Sequence, residues 1–393
     1  MRPRLLFYCQ HSLGLGHLAR SLELAKGLTS EFDVVLLNGG RFPEGTRVPP
    51  GITVVNLPPL GHDEANRLVS HDPSLTVEAA CEQRRTAVLD ALDRVDPAVL
   101  LIEMYPFGRK KFEFELVPLL DEATTRGAPR PVIVCSVRDI LVSARKDQAA
   151  YDERCSQRAN RWFDAVLVHA DPVFARLEGS FHPGTPLQVP VHHTGFVAPV
   201  DTPDREDRTA PLRRVLVSSG GGMVGEPLVR AAVEAHEDVF ARTGLTTTVI
   251  AGPFLPDAVW HWLAEQAACS RHLEAIRRVD DLCLEMRRSA VSVSQGGYNT
   301  TMDLLRAHVP AVVVPFGDGG ENEQRRRTER LAELGVVRLL APEAMTGALL
   351  TAEIAAALDA PPAPVTFDLT GAAVSAALIK DLTASRALAG ARS

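Results

Sequence analysis

The feature that most constrains the fold of this chain is a rhythm of short, unbroken apolar runs. Six of them occupy the first half, at residues 5–9, 34–37, 52–55, 99–102, 132–135 and 166–168. Continuous runs of this length, unlike alternating ones, are typical of strands buried on both faces of a parallel sheet. Helix-patterned stretches lie between several of them. The first half therefore predicts an α/β domain with a parallel sheet.

The same rhythm restarts after a polar stretch. Residues 198–211 are rich in proline and charge, and short β-rich runs follow at 215–218, 247–251, 275–279, 290–294 and 311–315. A chain of 393 residues is also too long for one ordinary core. We therefore predict a domain at 1–197, a linker at 198–211, a second domain at 212–365, and a helical segment at 366–393 that can pack back on the first domain. Two Rossmann-like, doubly wound domains would carry their ligand sites at the carboxyl ends of strands, facing each other across a cleft.

Composition excludes several classes of protein. Hydrophobic residues make up 46% and charged residues 23%, and the net charge is −7, which argues against nucleic acid as a partner. No stretch approaches about 18 apolar residues, and the apolar run near the N-terminus is too short for a signal peptide, so we expect a cytoplasmic protein without a membrane span. The six cysteines are scattered and no ligands cluster at metal-site spacing. We therefore expect reduced thiols and no metal.

The first glycine-rich turn is "SLGLGHLARSLELA", residues 12–25. It contains the pattern G-x-G-x-x-A, with Gly16 as its second glycine. A dinucleotide site also needs an acidic residue at the end of the second strand, but that strand ends in Asn38. A redox cofactor is therefore not favoured. Two interpretations of His17 stay open: it points into the cleft, or it caps the following helix.

The second turn, "SSGGGMVG", follows a buried strand and precedes a helical pattern. It supplies Ser219, Gly220, Gly221 and Gly222. Backbone N–H groups at such a junction, together with the positive end of a helix, suit a phosphate, and a plain mobile loop is the alternative. The G-K-[ST] of an ATP-hydrolysing P-loop is absent.

The third turn, "SQGGYNTTMD", is the richest. Its candidates are Gln295, Gly296 and Gly297 in the turn, Asn299 or Thr300 as helix cap, and Asp303 one turn later. A carboxylate there can accept from both hydroxyls of a ribose, and a solvated acid in the first helical turn is the alternative.

A fourth polar turn leads to Glu323 and Gln324, whose side chains could bind sugar hydroxyls. The arginines at 325–327 are interpreted as a solvated helix face.

Together, "GLGHLAR", "SSGGGMVG" and "SQGGYNTTMDLLRAHVPAVVVPF...ENEQ" resemble GT-B glycosyltransferases. The nearest type is the lipid-linked N-acetylglucosaminyl transferase of peptidoglycan synthesis, with its uncharacterised bacterial relatives. The resemblance implies an acceptor-binding first domain and a second domain that binds a nucleoside-diphosphate sugar as co-substrate, with uridine as the expected base. In the second domain it implies that Gly220 to Gly222, Gly296, Gly297 and Thr300 meet the diphosphate, the backbone near Val279 the base, Asp303 the ribose, and Glu323 with Gln324 the sugar. The full candidate donor set is Gly16, Ser219, Gly220, Gly221, Gly222, Val279, Gln295, Gly296, Gly297, Asn299, Thr300, Asp303, Glu323 and Gln324.

Two departures from the family pattern widen the range of acceptors. Asp303 stands where the family usually has glutamate, and Arg20 stands where many members have proline. The resulting "GHxxR" form also resembles a nucleotide-sugar hydrolase of nonulosonic acid biosynthesis, whose corresponding histidine activates water. The acceptor is then an alcohol, an amine or water, and a hydrolase or epimerase is the alternative to a transferase.

The proposed chemistry uses no metal and no resident cofactor. Helix amino ends and glycine-loop N–H groups would stabilise the leaving diphosphate. His17 is the candidate general base, and Glu103, at the end of a predicted strand, is the candidate that orients it. With no candidate covalent nucleophile, inversion is expected.

Two further features each allow two interpretations. The aromatic and basic segment 103–116 could form an acceptor or membrane-surface patch, but its spacing favours a loop leading into a helix with buried phenylalanines. The acidic pair Asp280 and Asp281 precedes a helix, which favours capping over a metal site. A sensor that binds donor without turnover, and a dinucleotide oxidoreductase, are the remaining alternatives.

Overall fold

The computed structural model describes residues 2–11, 16–42, 46–63, 67–127, 130–143, 145–200, 212–316 and 322–390. The chain divides into two compact units. The first comprises Met1–Pro199 and Asp368–Ser393, and the second comprises Val200–Phe367. Each unit has its own parallel sheet. The α/β class predicted from the apolar rhythm is confirmed.

The first unit is built on a seven-stranded sheet. Its strands, with a separate hairpin β4–β5, are β1 (Arg4–Cys9), β2 (Asp33–Asn38), β3 (Ile52–Asn56), β4 (Leu60–His62), β5 (Leu68–Ser70), β6 (Val99–Glu103), β7 (Val132–Arg138), β8 (Ala165–His169) and β9 (Val191–His193). The first helices are α1 (Gly16–Leu28), α2 (Val77–Val95), α3 (Glu113–Thr125) and α4 (Gln148–Trp162). The order is β3-β2-β1-β6-β7-β8-β9, with every pair parallel. The central strands are buried on both faces, as their unbroken apolar runs predict.

The second unit repeats this plan with six strands. They are β10 (Arg214–Ser218), β11 (Thr246–Ile250), β12 (Leu273–Ile276), β13 (Val291–Ser294), β14 (Ala311–Val313) and β15 (Arg338–Leu339). The helices are α5 (Glu226–Thr243), α6 (Asp257–Ala268), α7 (Leu282–Arg287), α8 (Tyr298–Ala307), α9 (Glu323–Glu333) and α10 (Gly347–Asp359). The order is β12-β11-β10-β13-β14-β15. The sequence predicts a strand at 275–279, whereas β12 spans Leu273–Ile276. The chain leaves the sheet at Arg277, whose guanidinium donates to the Leu255 carbonyl oxygen at 2.8 Å.

Both sheets are doubly wound, and this fixes where ligands bind. The strand order reverses between β1 and β6 in the first unit, and between β10 and β13 in the second. In such sheets the ligand crevice lies outside the carboxyl ends of the two strands at the reversal. The turns after β1, β6, β10 and β13 are therefore the places to look for a site.

The last helix, α11 (Gly371–Gly390), belongs to the first unit. It packs on α1 so closely that a Cβ atom on Gly27 would lie 2.7 Å from that of Ala372. Ile379 is fully buried in the core of this unit, and the N–H of Phe196 donates to the Asp368 carbonyl oxygen at 2.7 Å. Across the described ranges, no helix combines the length and apolar character that a membrane crossing requires.

Candidate active site

The structure brings His17 and Glu103 together at the reversal point of the first sheet. Gly16 is the first residue of α1, His17 is the second, and Glu103 is the last residue of β6. The His17 Nδ1 atom lies 2.6 Å from Glu103 Oε1. A carboxylate only accepts hydrogen bonds, so Nδ1 carries the hydrogen and Nε2 keeps its lone pair. The His17 side chain is 19% exposed and that of Glu103 is fully buried. Residues 12–15 of the preceding turn lie outside the described residues.

Two arginines that the sequence analysis did not assign to the site complete the environment of Glu103. Arg20 donates to Oε1 at 2.6 Å. Arg109 donates to Oε2 from Nε at 3.1 Å and from a terminal nitrogen at 2.6 Å. Arg20 follows His17 by three residues, a spacing that places both on one helix face and could have indicated this contact. Arg109 had no such signal, since its approach depends on a tertiary turn.

The charges in this cluster set the protonation states. Burial alone would raise the pKa of Glu103, but Arg109, His17 and Arg20 outweigh burial and hold that pKa well below its usual value. Burial, and then the guanidinium of Arg138, lower the pKa of His17 well below its usual value, although Glu103 acts in the opposite direction. At neutral pH the pair is therefore a carboxylate and a neutral imidazole, which is the state that a general base requires.

The rest of segment 103–116 follows the interpretation favoured from its spacing. Phe107 and Phe112 are buried, while Lys110 and Lys111 are exposed. Arg109 is the exception, because it turns inward to Glu103.

In the second unit, the turn after β13 leaves the amino end of α8 open. Gly297 is the N-cap, with φ −65° and ψ 150°, and no side chain caps the helix. Asn299 and Thr300 were expected as caps, and this was wrong, because both lie within the first helical turn. A Cβ atom built on Gly297 would meet nothing within 4 Å. The N–H groups of the first turn, which have no acceptor within the helix, thus border open space.

The glycine-rich turn after β10 lies beside this helix end. A Cβ atom on Gly220 would be 3.7 Å from Thr300 Oγ1, and the Gln295 amide donates to the Val224 carbonyl oxygen at 3.1 Å. Within the turn, however, the N–H of Gly220 donates to Ser218 Oγ at 3.3 Å and that of Gly222 to the Ser219 carbonyl oxygen at 3.1 Å. The turn therefore uses two of the three amides that were expected to meet a phosphate.

Close packing against the loop after β11 explains the glycines here. Gly222 has φ +90°, and a Cβ atom on it would lie 2.6 Å from the Ala251 carbonyl oxygen. The buried Ser219 hydroxyl donates to the same carbonyl oxygen. Ser219 is thus engaged with the neighbouring loop, and Gly222 has no room for a side chain.

This packing gives a testable stability difference. Gly222→Ala is expected to lower the free energy of unfolding by about 1–3 kcal/mol, because alanine is strained at positive φ and its methyl group meets backbone. Gly221→Ala is the matched control, since its Cβ atom would be 3.5 Å from Phe254, an ordinary contact. Urea unfolding of both variants measures the difference, and equal stabilities would contradict this account.

The start of α9 also contacts the third turn. Gln324 accepts from the Phe316 N–H at 3.1 Å through its side-chain oxygen, and its carbonyl oxygen would be 3.2 Å from a Cβ atom on Gly296. Glu323 is the first residue of α9. Arg327 was interpreted as solvated, and this was wrong: its side chain is fully buried and donates to the Gly296 carbonyl oxygen at 3.0 Å. A buried arginine thus fixes the backbone of the turn.

The remaining donor candidates lie around this edge of the sheet. Asp303, on α8, pairs with Arg306 at 3.2 Å and its side chain is 21% exposed. Val279 follows β12, which is three strands from β13 and therefore about 14 Å from it across the sheet. Asp281 caps α7 by accepting from the Leu284 N–H at 3.0 Å, which confirms the expected capping role for Asp281.

One buried hydroxyl at the third turn carried no sequence signal. Within the part of the chain that the structure describes, Ser294 Oγ is buried without a hydrogen-bond partner, directly before the turn.

Comparison with known structures identifies the fold. CalG4, the calicheamicin glycosyltransferase, matches 99% of this chain over 95% of its own, with a TM-score of 0.58 and 16% identity. UGT2 of Phytolacca americana, complexed with UDP-2fluoro-glucose and pterostilbene, matches 98% of this chain over 95% of its own, with a TM-score of 0.58 and 15% identity. The chain therefore has the same fold as these GT-B glycosyltransferases.

Sequence comparison finds a family match in the C-terminal half of the chain. Residues 260–375 match the glycosyltransferase family 28 C-terminal domain. A curated relative from Exiguobacterium sp., UDP-N-acetylglucosamine--N-acetylmuramyl-(pentapeptide) pyrophosphoryl-undecaprenol N-acetylglucosamine transferase, is 26% identical over 155 residues. That alignment spans 39% of this chain and 42% of the relative. The family match thus covers the C-terminal part of the second unit and extends to the first residues of α11.

Proposed function

We propose that this protein transfers a sugar from a nucleoside-diphosphate sugar, with uridine as the base, to a small-molecule or lipid acceptor. The donor binds the second unit and the acceptor the first. The glycosyltransferase family 28 domain and the GT-B fold support the reaction class. UDP-N-acetylglucosamine in the name of the Exiguobacterium relative and UDP-2fluoro-glucose in the UGT2 complex support the choice of base.

The uncapped amino end of α8 carries the donor proposal. It borders open space at Gly297 and adjoins the turn at Gly220. Aligned N–H groups and the helix dipole favour an anion there, and the diphosphate of the donor is such an anion. Because these groups stabilise the negative charge of the leaving diphosphate, the reaction needs no metal at this position.

In the first unit, His17 acts as general base. Its Nε2 lone pair accepts the proton of the acceptor hydroxyl or amine as that group attacks the anomeric carbon, and the nucleoside diphosphate leaves. Glu103 orients the ring and stabilises the imidazolium that forms. A single displacement of this kind inverts the anomeric configuration.

Water as the acceptor is the second candidate. It is favoured by the contact between Arg20 and Glu103, because Arg20 completes the "GHxxR" form that resembles a nucleotide-sugar hydrolase. The two candidates share the donor site and the base, and they differ in what occupies the position next to Nε2.

A thermal-shift panel followed by product analysis tests both. UDP is expected to stabilise the protein by about 2.7 kcal/mol at one hundred times its Kd, and other nucleoside diphosphates by less. Mass spectrometry should then find donor consumed only with an acceptor for the transferase, and with water alone for the hydrolase. Absence of any shift with every nucleoside diphosphate would overturn the proposed function.

A further inference from the structure

The environment of Glu103 is more elaborate than a catalytic pair requires. Its two carboxylate oxygens are divided between partners: Oε1 accepts from His17 and Arg20, and Oε2 accepts twice from Arg109. Arg20 is 1% exposed, whereas Arg109 is 17% exposed, close to the value for His17. Arg109 therefore lies with His17 on the solvent-facing side of the cluster.

The backbone around Arg109 is shaped to deliver its side chain to Glu103. Met104 and Arg109 both adopt left-handed conformations, with φ of 65° and 61°. Such conformations are costly for residues with a side chain, and they persist where the surrounding structure enforces them, often at functional sites. Phe107 and Phe112 anchor the turn in the core on either side of Arg109. The guanidinium is thus held in place by packing as well as by its ion pair.

We propose that Arg109 is a positioning residue for His17. By holding Oε2, it keeps the Glu103 carboxylate ionised and turned so that Oε1 accepts the Nδ1–H of His17, which leaves Nε2 unprotonated. The assignment of Nε2 as the base rests on the proposed function. The effect of Arg109 on the protonation of His17 does not.

The sign of the effect follows from the charges around the imidazole. Arg138 and Arg109 lower the pKa of His17, after the larger effect of burial, and Glu103 raises it. Groups from the neighbouring elements that share this cluster are Arg20 on α1, Cys9 and His11 on and after β1, Arg138 at the end of β7, and His169 at the end of β8. Removing the Arg109 charge removes its repulsion of a protonated His17 and leaves the negative charge of Glu103 less neutralised. Both changes favour the protonated imidazole, so the pKa of His17 rises. Removing the Glu103 charge has the opposite effect.

The test compares Arg109→Met, Glu103→Gln and a matched control, Lys110→Met. Lys110 is an exposed cation next to Arg109. The titration of His17 is followed by imidazole NMR, without any substrate, and by the pH dependence of kcat/KM. Arg109→Met is expected to raise the proton affinity of His17 and to move the acid limb of the kcat/KM profile to higher pH. Glu103→Gln should move the limb to lower pH, and Lys110→Met should not move it.

Arg109→Lys keeps the charge and covers the case in which Arg109→Met does not fold. It should titrate close to wild type and lose turnover, because one ammonium group cannot reproduce the two bonds to Oε2. The inference is overturned if Arg109→Met titrates like wild type, or if its limb moves in the same direction as that of Glu103→Gln. Because the NMR titration needs no donor, a shift there in a protein without transferase activity would overturn the proposed function and leave the role of Arg109 standing.

Discussion

His17→Ala is expected to lower turnover about 10²- to 10⁴-fold while the affinity for UDP stays unchanged. A positioned general base contributes a factor of this size, and the proposed diphosphate site is in the other unit. The loss should therefore appear in kcat and not in the Kd for UDP from calorimetry. Because the pKa of His17 is lowered, the acid limb of the wild-type profile should lie below the ordinary histidine pKa of about 6.5.

The matched control for this variant is His182→Ala. His182 is an exposed histidine of the same unit, and its backbone N–H, which donates to Asp152 at 2.9 Å, survives the substitution. This control should retain full turnover. If His17→Ala also retained it, His17 would not be the base, whereas a loss of UDP affinity in His17→Ala would place the donor site elsewhere.

The strands could be predicted from sequence because their signal is local. Residues 5–9 of β1 and 99–102 of β6 are apolar without interruption, which is typical of strands covered on both faces. The short strands β4, β5, β9 and β15 were missed, since two or three residues are too few to show a periodic pattern. The sequence analysis could not predict that α11 packs on α1, because the pattern of a helix that follows a loop does not indicate which element it contacts.

The site was predictable only where strand order determines it. Because β1 and β6 are neighbouring parallel strands, the helix start that follows β1 and the last residue of β6 lie at the same edge of the sheet. This brings His17 and Glu103 together. Arg327 was interpreted as solvated and Arg109 was not assigned to the site, because a charged residue in a polar stretch is usually solvated. What overrides that tendency is a buried acceptor supplied by a distant segment: the Glu103 carboxylate for Arg109 and the Gly296 carbonyl oxygen for Arg327.

Gly297→Asp is expected to weaken UDP binding about 100-fold or more without destabilising the protein. The N-cap backbone of Gly297, at φ −65° and ψ 150°, suits aspartate, and the side chain would enter open space. There its carboxylate accepts from the first-turn N–H groups, which stabilises α8 by about 1 kcal/mol. The same carboxylate occupies the proposed diphosphate position and repels its charge. Opposite changes in stability and affinity are thus expected from one substitution.

Two control variants separate occupancy from charge. Gly297→Ala adds only a methyl group to open space and should bind UDP nearly as wild type, while Gly297→Asn caps the helix without charge and should fall between Gly297→Ala and Gly297→Asp. Calorimetry with UDP gives the affinities, and urea unfolding without ligand gives the stabilities. A general disruption of the second unit would lower stability and affinity together, so a stable Gly297→Asp that no longer binds UDP identifies the helix end as the diphosphate site. A stable Gly297→Asp with wild-type affinity would show that the diphosphate binds elsewhere, because the aspartate carboxylate and a bound diphosphate would compete for the same N–H groups.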